Sequence, residues 1–307
     1  MKKRRHHYIW KKYLKSWTED NKIWCYRDGD VFNTNLDNVG VKKDFYRFGE
    51  LSESDCVVIY KLGIEKTQEH LKKLNLRWLN SFYMVSGLME TVKEENPDNK
   101  KIKDGMDQIK QNLEENMYAN IEQASKEYLD SLLRRDLDFY KNDDKCIDFC
   151  YFISSQLFRT KNIQISTKNA LEKAKKIFQD INVETIWQVL RHIFSTNVGW
   201  VLFASRDVYG IWLLKNNTSL ELITGDQPVI NLKASGDNNN LEPPEDFELY
   251  YPISPDYAIK ISEDGDLTNR DKLSKIQINY LNQKIIDHAH KQVYASSKEV
   301  LKDNNLI

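Results

Sequence analysis

Residues 23–35, IWCYR-DGD-VFNTN, place two runs rich in aromatic and β-branched residues on either side of an Asp-Gly turn and read as a β-hairpin. A third strand is expected from Lys43 to Phe48. Beyond residue 52 the hydrophobic period changes. Ile102, Met106, Ile109, Leu113, Met117 and Ile121 recur every three or four positions, the spacing of an amphipathic helix. Asn96-Pro97-Asp98-Asn99 separates that helix from an earlier one ending near Val92, because Pro disfavours helical backbone in the residue before it. Further helices are expected over 144–159, 167–180 and 183–196, the last capped by Asn182. Residues 52–62 are ambiguous, since Ser52 suits a helix cap while CVVIY suits a strand.

From residue 199 the strand pattern returns in GWVLFAS (199–205), LELIT (220–224), PVINL (228–232), ELYYPI (248–253) and YAIKI (257–261). Loop signals stand at Gly236–Asn240 and Pro243-Pro244. A final helix is expected from Asp271 to Gln292. Strands come in runs at both ends, not alternating with single helices. The expected class is therefore α+β: a mixed or antiparallel sheet built from N- and C-terminal strands, with the helical segment 52–198 packed against it as part of a single domain over 1–307.

The chain of 307 residues carries 45 basic and 46 acidic residues, a formal charge of −1, which argues against general electrostatic adhesion to nucleic acid or membrane. Any basic site must be local. Lys2, Lys3, Arg4, Arg5, Lys11, Lys12 and Lys15 crowd the first fifteen residues with no carboxylate before Glu19. The four cysteines, Cys25, Cys56, Cys146 and Cys150, lack a disulfide framework and read as buried thiols of a cytoplasmic protein. No apolar run approaches the roughly 20 residues of a membrane span.

Three interior segments combine polar side chains with rigid backbone: FISSQLFRT (152–160), ITGDQPVI (223–230) and YPISP (251–255). Together with HHY at 6–8 and YL at 13–14, these motifs resemble the bacterial family grouped as domain of unknown function 4238. The matching residues are Gln156, Arg159 and Thr160, Asp226 with Pro228, and Pro252 to Pro255. The resemblance spans nearly the whole chain and suggests a defence or toxin setting. It brings no established reaction, cofactor or catalytic residue. Trp10 and Gln227 stand where the family often has Pro and Asn.

If the opening strand lies beside the C-terminal sheet, His7 can meet Asp226, with Arg159 binding an anionic oxygen and Gln156 acting as a neutral partner. That inventory suits hydrolysis of a nucleic-acid or nucleotide phosphate, with His7 and Asp226 as ligands if a divalent metal takes part. His6, Tyr8, Arg5, Lys11 and Trp10 are the expected substrate contacts. The competing expectation is a buried Arg159–Asp226 ion pair joining helices to sheet. A second functional class is a non-catalytic nucleic-acid- or protein-binding module. In it Trp10, Tyr13 and Trp17 stack bases beside Lys11, Lys12 and Lys15, unless those rings form the core-facing stripe of a helix. His192 is expected to pack or cap, and His288 and His290 to lie on the surface.

Overall fold

A computed structural model describes residues 2–96, 98–175, 178, 180–236, 246–263 and 270–306. The first zone holds β1 (Arg5–His7), α1 (Lys11–Leu14), β2 (Lys22–Arg27), β3 (Asp30–Asn35) and β4 (Val41–Lys43). β2 and β3 form the expected hairpin, with Arg27 opposite Asp30. Asp28 and Gly29 both take positive φ, 52° and 94°, as the tight turn requires. The strand expected over Lys43 to Phe48 is displaced: β4 covers Val41–Lys43 and shares only Lys43 with it, because Asp44 also turns left-handed, at φ 56°, and ends the strand.

The middle zone holds α2 (Glu53–Ile59), α3 (Glu69–Glu95), α4 (Lys100–Ala124), α5 (Lys126–Leu133), α6 (Asp143–Phe158), α7 (Lys161–Ala174) and α8 (Val183–Ala204). A reciprocal capping box decides the ambiguous stretch after residue 52. Ser52 Oγ accepts from Asp55 N at 3.1 Å, and Asp55 Oδ2 accepts from Ser52 N at 3.0 Å, so CVVIY continues as helix. Asn182 caps α8 as expected, accepting from the amides of Glu184 and Thr185.

The segment GWVLFAS, expected as a strand, is the end of α8. A short apolar run reads alike for a strand and a buried helix. Here Gly199 lets α8 close on α6: a Cβ at that position would lie 3.0 Å from Tyr151 Cα.

The last zone holds β5 (Tyr209–Asn216), β6 (Thr224–Gly225), β7 (Ile230–Asn231), β8 (Leu249–Pro252), β9 (Tyr257–Glu263), β10 (Arg270–Leu273), α9 (Lys275–His288), β11 (Gln292–Ala295) and α10 (Lys298–Asp303). The expected strands at 220–224 and 228–232 shrink to two residues each, and the reading passes over β5 entirely. α9 starts later than expected because Ser274 and Gln277 form a second capping box. Apart from Gly236, the loop signals at 236–244 fall outside the described residues.

The strands form three sheets. One is antiparallel, ordered β3-β2-β11-β6, and joins the two ends of the chain as expected. The second, β10-β5-β9-β8-β7, is antiparallel except for the parallel pair β10 and β5. The third is the two-stranded pair β1-β4. The class is α+β. One apolar cluster runs through all three zones, from Tyr13 and Trp17 through Phe149 and Phe152 to Ile259 and Tyr294.

Gly199→Ala tests the helix crossing. Alanine ordinarily stabilises a helix interior by about 1 kcal/mol over glycine. Against the Tyr151 backbone the expected sign reverses to a loss of about 1–3 kcal/mol in urea unfolding.

Candidate functional site

His6 and His7 point to opposite faces of β1, as neighbours on a strand must. His6 is buried and both its ring nitrogens are used. Nδ1 accepts from Tyr46 N at 2.7 Å, so Nε2 carries the proton and donates to Lys3 O at 2.7 Å. Burial holds its pKa below the usual value, and the ring stays neutral. It is a structural histidine. His7 differs: its Nε2 is buried without a hydrogen-bond partner. Burial first, then the cations Lys11 and Arg5, push its pKa down to about 4.

Arg159 terminates α6 and is buried among aromatic rings, with Tyr118 4.4 Å from its guanidinium carbon. All three of its nitrogens donate: Nε to Tyr46 Oη at 3.0 Å, Nη1 to Glu122 Oε1 at 2.6 Å, and Nη2 to the His7 carbonyl at 2.7 Å. The expected Arg159–Asp226 pair is thus replaced by a pair with Glu122 of α4. Every nitrogen of Arg159 is thus already engaged within the protein.

Asp226 follows β6 and is also buried. Its Oδ1 accepts from His290 N at 2.7 Å, and its Oδ2 accepts from Lys291 N at 3.0 Å and Gln292 N at 3.2 Å. The carboxylate therefore organises the turn between α9 and β11. Burial pushes its pKa up to about 6 against the opposing pull of these amides. Gln227, beside it, receives the Thr160 hydroxyl on Oε1 and donates Nε2 to the carbonyls of Leu157 and Val229. The Gln-x-x-Arg-Thr and Asp-x-Pro motifs thus meet through Thr160 and Gln227. Gln156 is buried, with an unpartnered Nε2.

The expected substrate contacts are mostly engaged within the protein. Tyr8 is buried and its hydroxyl accepts from Gln292 Nε2 at 3.1 Å. Arg5 donates to Asp37 O and Asn38 Oδ1, and Lys11 pairs with Asp37 at 2.8 Å. Trp10 sets its edge against Phe152. Tyr13 and Trp17 are core residues, so the aromatic face expected to stack bases is spent on packing. Lys2 and Arg4 pair with Asp107 and Asp44, and Lys3 donates to Asn116. Among the described residues no three His, Cys, Asp or Glu side chains gather as a metal site, and Asp226 already spends both oxygens on main-chain amides.

A second buried charge cluster escapes the sequence reading. Glu114 accepts from Arg191 Nε and His192 Nε2, each at 2.9 Å. Burial opposes its charge, but Arg191 and His192 hold its pKa below the usual value. His192 itself is kept neutral by burial and stacks on Trp78, so the packing role expected for it is the one it has. Its signal lies in α4: Gln111, Glu114 and Tyr118 are three and four apart, yet two of them are polar, and apolar periodicity passes over them.

These features define an α+β protein whose two ends are tied through buried polar groups, with its motif residues mostly inside. The chain belongs to the family described as Protein of unknown function (DUF4238), which it matches over residues 5–299. Neither the curated proteins nor the solved structures yield a match. No helix among the described residues is long and apolar enough to cross a membrane.

Asp226→Asn is expected to cost about 2–3 kcal/mol in urea unfolding, since an amide cannot accept all three N–H groups and turns a donor toward them. An unchanged stability would show that the carboxylate is not the organiser of the α9–β11 turn.

Proposed function

We propose that the chain binds the phosphate of a nucleotide or nucleic acid at a cation cluster formed by Lys42, Lys161 and Lys168 beside His290. The bonds described above assemble it. Lys161 follows Thr160, which is tied to Gln227; His290 is held by Asp226; Lys42 lies opposite His6 in the β1-β4 ladder, beside the strand that Arg159 grips. The observation that carries the reading is the environment of Lys161. Its ammonium donates to the neutral Gln164 Oε1 at 2.7 Å. Burial, then Lys42 and Lys168, push its pKa down to about 8. Like charges crowded at a half-buried ammonium are costly, and a phosphate anion would relieve them. Burial, then Lys161, Lys291 and Lys42, also lower the pKa of His290.

The N-terminal cations are largely paired, as Lys168 is with Glu184, so removing them should matter less than removing Lys161 and Lys42. A labelled single strand titrated by fluorescence anisotropy tests this. Lys161→Ala combined with Lys42→Ala is expected to weaken binding at least about tenfold, and Lys3→Ala to leave it within about twofold. Affinity should fall with salt, and fall again as pH rises from 7 to 9 and Lys161 loses its proton. Binding that ignores both Lys161 and salt would refute the assignment.

Hydrolysis of the bound phosphate is a second reading, carried by the neutral imidazole of His7, whose Nε2 has no hydrogen-bond partner within the protein. It predicts that the wild type cleaves the strand and that His7→Gln stops cleavage while retaining affinity. A wild type that binds without cleaving sinks hydrolysis and leaves binding in place.

A further inference from the structure

Between the end of α6, α7 and the β7 region lies a cavity of about 280 Å³, separate from the groups assigned above to phosphate. Its walls include Leu157, Phe158, Ile163, Ile230 and Phe247, an apolar lining with two phenyl rings. His288, the last residue of α9, completes the lining and is only 6 % exposed, contrary to the surface position expected from its place near a helix end. Its Nδ1 sits 2.8 Å from the Lys284 carbonyl one helical turn back. A carbonyl only accepts, so Nδ1 carries the proton and Nε2 presents a lone pair. That lone pair is buried and makes no hydrogen bond, with the Ala234 backbone as its neighbour.

The other polar side chains of the wall are occupied. Gln227 is bonded to Leu157, Val229 and Thr160, and Asn231 holds Asp246, Lys233 and Glu248. Asn162 donates to the His288 carbonyl. The cavity therefore offers apolar walls and, at His288, a buried acceptor that makes no hydrogen bond. An unsatisfied buried polar atom costs on the order of 1–3 kcal/mol, so its satisfaction by a bound molecule is a source of both affinity and selectivity.

We infer that this cavity is a binding site for a small planar aromatic molecule with one N–H or O–H donor, of the indole or phenol class, whose donor bonds to His288 Nε2. The size is adequate. An apolar cavity of roughly 150 Å³ already admits benzene, and ligand sites run from roughly 300 Å³ upward. A charged ligand does not suit the walls, which carry no ionised side chain to meet it. A purine suits them less well than an indole, because its ring nitrogens would face apolar surface as unmet acceptors.

Calorimetric titration of the full chain with indole and with indene, which has the same shape but no N–H, separates the donor from the ring. Indole is expected to bind at least about tenfold more tightly than indene, because a site built to meet a donor discriminates strongly against its absence. His288→Phe should remove that preference while retaining indene binding. Ala234→Leu, which fills the cavity beside His288, should abolish binding of both and keeps the test decisive if His288→Phe fails to fold. Equal affinities for the two probes, no binding of either at millimolar concentration, or indole binding that survives Ala234→Leu would each overturn the assignment. All these outcomes are independent of phosphate binding at Lys161.

Discussion

The guanidinium of Arg159 is the constraint on which the assembly depends. A permanently charged fork is buried among tyrosine rings and has to be neutralised where it stands. Each of its three anchors belongs to a different part of the chain: Glu122 to α4, Tyr46 to the segment after β4, and the His7 carbonyl to β1. Satisfying one side chain therefore fixes the opening strand against the helical layer. Removing that side chain would leave Glu122 without its counter-charge and the His7 carbonyl without its donor, so the contact is cooperative and not a sum of independent pairs.

From this anchor the polar interior continues in both directions. Tyr46 donates its backbone N–H to His6 and lies 4.7 Å from the Arg191 guanidinium carbon, which brings in Glu114 and His192. On the other side Thr160 follows Arg159 and reaches Gln227, and Asp226 beside it gathers three amides of the α9–β11 turn. A hydrogen-bonded course thus runs from the helical layer through the first strand to the last. It explains how a chain with strands at both ends and helices between closes one sheet from β2, β3, β6 and β11.

Much of this was legible in the sequence where local chemistry decides structure. The Asp-Gly hairpin, the Asn182 cap and the separation of the zones follow from backbone preferences that tertiary contacts left intact. The failures have a common cause. GWVLFAS is apolar without a clear period, and its state was chosen by contact of Gly199 with α6, a neighbour remote in sequence. In α4 the apolar stripe misplaces the buried face: Ile109 is 49 % exposed, while Gln111, Glu114 and Tyr118 are buried about half a turn around the helix from it. An interior built from charges inverts the signal that apolar periodicity supplies. At the site, the residue types of the motifs were read correctly as costly to bury, but the partner of Arg159 was a glutamate in α4 that no motif marks.

The same inversion bears on where chemistry can occur. His, Asp, Arg and Gln in recurring motifs form the inventory of an active centre, yet it is also the inventory needed to join layers through a polar interior, and the two differ only in whether atoms are left free. Arg159, Asp226 and His6 have none to spare. The groups with capacity left stand beside them: Lys161 next to Thr160, Lys42 opposite His6, and His290 on the amide that Asp226 holds. Their side chains, with those of His7 and His288, carry the proposals made above. A rigid buried frame with its neighbours turned toward ligand gives fixed geometry at little entropic cost on binding. In the proposed sites, motif residues would set where the binding groups stand, and adjacent, less distinctive residues would make the contacts.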